Sequence, residues 1–149
     1  MVLMGPAPQF PMLYLVLELL ARSLYAQLGV SRDSAAPAAG AMRYCVLAAI
    51  ATRLRKLTRE PDFLARYGGE EFVLIMPETD RQAAFTVAEK LREAIAEMGF
   101  TYRGDPVRIT VSLGVTEFAG ADSSTSAFQR ADQAMYQAKE AGRNRTVLS

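Results

Sequence analysis

The sequence predicts an α+β domain in which helices flank an antiparallel-rich central sheet. Three observations carry that reading. Two short apolar runs, Phe63 to Tyr67 and Phe72 to Met76, flank a Gly-Gly tip and read as a β-hairpin. Segments before and after it place apolar residues at helical spacing. Val107, Ile109, Val111 and Leu113 alternate with polar neighbours, as a half-buried strand does.

Taken in order, Phe10 to about Leu28 carries Leu13, Val16, Leu17, Leu20 and Leu24, a spacing that suits an amphipathic helix. Its later part, Leu24 to Val30, also suits a strand. Ser31 to Gly40, rich in Ala, Pro and Ser, reads as a loop. A second helix is expected from about Met42 to Leu57, burying Val46, Leu47, Ile50 and Leu54. The hairpin follows, its glycines suited to the positive φ of a tight turn. Asp80 to about Met98 puts Ala84, Val87, Ala88, Leu91 and Ile95 on one helical face. After the alternating strand, Ser124 to Ala141 forms the last helix, with Phe128, Ala131, Met135 and Ala138 inward and Gly142 as its stop.

A chain of 149 residues, 50% apolar, fits one domain with a sizeable core. Its net charge of +1 gives no sign of nucleic-acid or membrane attraction, so no DNA or RNA partner is expected. The single cysteine, Cys45, excludes an internal disulfide and suits a reducing compartment. With no histidine, a metal must be held by oxygens, which favours Mg²⁺ or Mn²⁺ over zinc. Residues 1–17 are uncharged, but Pro6, Pro8 and Pro11 interrupt them and Glu18 and Arg22 follow. They are too short and broken for a membrane-spanning helix, and a cytoplasmic protein is expected.

Three small constellations carry chemistry. Glu70 and Glu71 follow Gly68 and Gly69 at the hairpin tip. Adjacent carboxylates there can hold a divalent cation, and the bare glycines leave room for a bulky ligand. On its own the motif is also an ordinary turn. Lys139 and Arg143, four apart, share a helical face that can grip phosphate or simply complement the helix dipole. Arg59 and Asp62 form either a charged turn or a phosphate fork beside a carboxylate.

Arg66 to Pro77 (RYGGEEFVLIMP) resembles the signature loop of the GGDEF family, the diguanylate cyclases, in its GGEEF form. The likeness continues in order through Arg108 to Val115 (RITVSLGV) and Asp132 to Arg145 (DQAMYQAKEAGRNR). It covers about Val46 to Val147, which divides the chain into a divergent segment, 1–45, and a GGDEF core, 46–149. The resemblance implies a nucleotide-cyclase or polymerase-palm-like fold, acting in bacterial signalling. Its reaction joins two GTP molecules into cyclic di-GMP with release of two pyrophosphates, and a homodimer presents one GTP from each subunit. In that scheme Glu70 binds metal and helps activate the 3′-hydroxyl, and Glu71 assists at the second metal position. Gly68 and Gly69 lie beside the nucleotide, and Lys139 and Arg143 hold the triphosphate. Arg59 and Asp62, five residues before Gly68, match the RxxD inhibitory site for cyclic di-GMP, with Lys90 as the second basic residue. Asn144 and Arg145 are expected to be structural.

Before residue 46 the likeness fails. Counted back without gaps from Gly68, the family's first metal-binding Asp falls at Gln27, and its two guanine-reading positions fall at Ala35 and Tyr44. The expectation is impaired catalysis with a retained product site. The alternative is an inactive cyclic di-GMP receptor binding through Arg59 and Asp62.

Overall fold

The computed structural model describes the backbone over residues 13–19, 37–102, 104–118, 120 and 122–149, and side chains within those ranges from residue 41 onward. The elements are β1 (Leu13–Leu19), α1 (Pro37–Leu57), β2 (Phe63–Arg66), β3 (Glu71–Met76), α2 (Arg81–Ala96), β4 (Phe100–Tyr102), β5 (Asp105–Val107), β6 (Val111–Glu117), α3 (Ser124–Glu140) and β7 (Thr146–Leu148). The main sheet runs β2-β3-β1-β6-β7, and β4 and β5 form a separate two-stranded hairpin. All pairings are antiparallel except β6 with β7.

The α+β expectation holds. Alternation along β3 turns Phe72, Leu74 and Met76 to one face and Val73 and Ile75 to the other. The first set joins Val111, Leu113 and Val115 of β6 in packing against α1 and α2. The second packs with Ala127, Ala131 and Met135 of α3. The sheet therefore lies between two helical layers. No helix among the described residues is long and apolar enough to cross a membrane.

Local chemistry explains the helices. Pro37 opens α1 at a position where its missing N–H costs nothing, and Val46, Leu47, Ile50 and Leu54 are buried as expected. Asp80 caps α2, its side chain accepting from the Ala83 N–H at 2.7 Å. Ser123 caps α3 in the same way.

Gly114 lets α3 lie directly on β6. A Cβ at that position would stand 1.9 Å from the Ala131 carbonyl oxygen and 2.4 Å from the Met135 nitrogen.

Four expectations need correction. Leu13–Leu19 is a strand, not part of a helix. It is the middle strand of the sheet, pairing with β3 on one side and β6 on the other. The rest of the expected Phe10–Leu28 helix, the alternative strand at Leu24–Val30 and residues 31–36 of the expected loop lie outside the described residues. Residues 37–40 are the first turn of α1 rather than loop. The single strand through Val107 and Leu113 is instead two elements, because Val107 ends the β4–β5 hairpin and β6 begins at Val111. Nor is β6 half-buried, since helices cover both its faces and bury every residue through Thr116.

Candidate nucleotide site at one end of the sheet

The strand register gathers the tip residues at one end of the sheet. Glu71 stands opposite Glu18 of β1, and Glu18 stands opposite Ser112 of β6. On the far side of β6, the Leu113 N–H donates to the Arg145 carbonyl at 3.0 Å. A row of Glu71, Glu18, Ser112 and Arg145 thus crosses the sheet. It links the hairpin tip to the turn that follows α3. Glu18 was not read as a site residue, because its run suits a helix; Gln27 and Ala35 lie outside the described residues.

The tip is closed by the Tyr67 and Gly68 N–H groups, both donating to the Glu71 carbonyl, at 2.9 and 3.4 Å. Arg66 clasps it from the side, donating to the Gly68 carbonyl at 3.1 Å and the Gly69 carbonyl at 2.6 Å. The Tyr67 ring lies against Phe128 of α3, centroids 4.7 Å apart. Neither Gly68 nor Gly69 adopts positive φ, contrary to the turn argument. Space is the reason for glycine here. A Cβ on Gly68 would meet a Glu71 carboxylate oxygen at 2.6 Å, and one on Gly69 would meet the Arg43 guanidinium at 2.9 Å.

Arg43, from α1, stands 3.9 Å from Glu70, whose side chain is 14% exposed. Arg43 leaves its buried Nε without a partner among the described residues. This cation beside the signature carboxylate has no local sequence signal. Only the fold brings α1 to the tip. The donor set at the tip is all oxygen, which fits a hard divalent cation rather than zinc.

Lys139 lies in the last turn of α3 but Arg143 lies beyond its end, so the two do not share the helical face expected of them. Gly142 sits at φ 108°. Its N–H donates to the Lys139 carbonyl, and the Arg143 N–H donates to the Ala138 carbonyl at 2.9 Å. These are the paired bonds of a Schellman turn. The left-handed backbone then continues through Arg143 (φ 65°) and Asn144 (φ 45°). For a non-glycine residue that conformation costs on the order of 1–3 kcal/mol, so the surroundings must enforce it. Burial, and then the charge of Arg143, hold the Lys139 ammonium below its usual pKa.

Beside the tip, Tyr44, Leu47, Ala48, Leu64, Arg66 and Phe72 help line a groove of about 280 Å³. Among the described residues no carboxylate or amide side chain lines it. Tyr44 is 69% exposed.

Arg59 and Asp62 lie at the other end of the hairpin. Asp62 accepts from Arg59 Nε at 2.9 Å and from the Arg59 backbone N–H at 3.0 Å. Arg59 Nη2 donates to the Pro77 carbonyl at 2.6 Å and makes a short bond to Thr79. A cavity of about 420 Å³ opens here, lined by Arg55, Thr58, Arg59, Glu60, Asp62 and Phe63 among others. Lys90 is exposed and is not part of its wall; Arg55, which sequence reasoning overlooked, is. Direct base reading by Asp62, whose side chain is 4% exposed, requires its contact with Arg59 to open.

The fold is an α+β sandwich with adjacent carboxylates at the hairpin tip, joined through the sheet's register to the turn after α3. The profile of the diguanylate cyclase GGDEF domain matches residues 45–145, and the chain belongs to that family. It is 50% identical over 104 residues to diguanylate cyclase DgcP of Pseudomonas aeruginosa, covering 70% of this chain and 16% of that protein. The chain spans 28% and 25% of the lengths of two further diguanylate cyclases. Among solved structures, the GGDEF domain of DgcB from Caulobacter crescentus, in complex with c-di-GMP, superposes with a TM-score of 0.77 at 27% identity. That match covers 93% of this chain and 78% of the other. The active GGEEF domain of a diguanylate cyclase from Vibrio cholerae gives 0.71 at 27% identity, covering 93% and 82%.

Proposed function

We propose that this domain condenses two GTP molecules into cyclic di-GMP in the cytoplasm, with reduced turnover, and binds the product at Arg59. Each 3′-oxygen forms a bond to the α-phosphorus of the other GTP, the α–β bridge breaks, and pyrophosphate leaves. Two copies of the chain each bring one GTP, so the working unit is a homodimer. Glu70 draws on the 3′-hydroxyl proton, while Lys139 and Arg143 hold the triphosphate. Glu70 and Glu71 would hold Mg²⁺ or Mn²⁺ through their carboxylate oxygens. Such an ion neutralises phosphate charge and lowers the pKa of the hydroxyl. The row linking Glu71, Glu18 and the turn after α3 is the observation that carries this reading. Reduced turnover is supported by the Tyr44 groove, whose described walls offer guanine no carboxylate or amide to read its edge.

A second reading is a receptor that binds cyclic di-GMP without making it. The preformed Arg59–Asp62 contact beside a cavity also walled by Arg55 favours it. Calorimetry with GTP plus Mg²⁺ and with cyclic di-GMP, alongside a product assay, separates the two. Product formation abolished by Glu70→Ala supports the enzyme. Dinucleotide binding with neither GTP binding nor product overturns it in favour of the receptor.

A further inference from the structure

The strained turn after α3 is braced from a different helix. Arg92, in the fourth turn of α2, donates from Nη1 to the Asn144 side-chain oxygen at 3.1 Å across 52 residues of sequence. Arg92 is itself fixed. Its Nε donates to both Glu89 oxygens at 3.0 and 3.1 Å, its Nη2 to Glu89 at 2.9 Å, and it pairs with Glu93 at 3.3 Å. The Arg92 side chain is only 16% exposed, and the Glu89 carboxyl is held below its usual pKa chiefly by Arg92. The ladder Glu89–Arg92–Asn144 therefore ends on the residue next to Arg143, in the one stretch of three successive left-handed residues among those described. A fork gripped by a carboxylate has little freedom to follow a moving turn.

We infer that Arg92 and Asn144 are positioning residues. Through the left-handed turn they set where the Arg143 guanidinium and Lys139 ammonium stand, and hence how this chain grips the phosphate groups of a nucleoside triphosphate or of pyrophosphate. Neither touches the ligand. The inference rests on the reading of Lys139 and Arg143 as phosphate contacts, given above. A plain surface salt bridge would leave anion affinity untouched when cut; a brace that aims two cations would not.

The test is calorimetry of the full chain with pyrophosphate plus Mg²⁺. Asn144→Gly is the sharpest variant, because glycine favours the left-handed backbone, the fold is kept and no charge changes. Affinity is expected to fall about tenfold, the size of one lost charge-assisted hydrogen bond. Arg92→Met should fall similarly, and Arg92→Lys, which can still donate to Asn144, should recover part of the loss. The Lys139 pKa, followed by NMR, should rise toward its usual value in Asn144→Gly as Arg143 moves off. If Arg143→Ala weakens pyrophosphate binding while Asn144→Gly leaves affinity and the Lys139 titration unchanged, the brace is disproved and the phosphate reading stands. If Arg143→Ala and Lys139→Ala also have no effect, the phosphate reading itself fails and takes the brace with it.

Discussion

At the base of the β2–β3 hairpin, Arg59 is bound by Asp62, the Pro77 carbonyl and Thr79. At its tip, Glu70 faces Arg43 across 3.9 Å, beyond hydrogen-bond distance. The strand between them is four residues long, about 13 Å. One end has its guanidinium locked before any ligand arrives. The other sets the Glu70 carboxylate and the Arg43 guanidinium side by side, farther apart than a hydrogen bond. In the function proposed above, the base is the anion site and the tip is the metal site.

The largest effect expected is at the tip. Glu70→Ala should lower the rate of product formation by on the order of 10²-fold or more, read by pyrophosphate release, with dinucleotide affinity at the base within about twofold of wild type. A parallel loss at the base would mean the two ends are one site. Next, Arg59→Ala should cost cyclic di-GMP binding about 2 kcal/mol, the value of a charge-assisted hydrogen bond. Unchanged affinity by calorimetry would reject the base as a site.

A smaller effect concerns pH. Lys139 has a lowered pKa in the folded state, so its charge is lost on alkalinisation earlier than that of an ordinary lysine. Pyrophosphate affinity should therefore decline as pH rises through that lowered value. Folding stability should rise over the same interval, because the unfolded chain binds more protons there. A pyrophosphate affinity that holds until the ordinary lysine range would contradict the burial of Lys139 and its placement near Arg143. The smallest effect is Arg43→Met. With Arg43 40% exposed, stability should change by less than about 1 kcal/mol, while Mn²⁺, titrated by paramagnetic resonance, should bind the tip more tightly once the competing cation is gone.

How far these features can be read from sequence depends on the range of the forces behind them. Three helices and the hairpin were legible because 3.6-residue spacing, caps and Gly142 act locally. The family motifs placed both ends of the hairpin. β1 was misread because a strand with partners on both sides needs no polar alternation, and LYLVLEL satisfies helical spacing equally well. β7, three residues long, exists through its pairing with β6, some thirty positions earlier in sequence. The tip glycines were identified for the wrong reason. Their requirement comes from the Glu71 and Arg43 side chains lying over them, which no local rule encodes. Arg43, Arg55 and Glu18 were missed for the same cause, since each reaches its place only when α1 or β1 has docked.

The middle position of β1 bears on how the chain is built during synthesis. Translation delivers Glu18 well before its neighbour Glu71, and earlier still before Ser112. The ribosome thus releases the hairpin and α1 before the last partner of β1 exists, and until β6 emerges one flank of β1 keeps unpaired amide and carbonyl groups. A nascent chain stalled in that interval would offer an open edge to its neighbours, so chaperone demand should peak there.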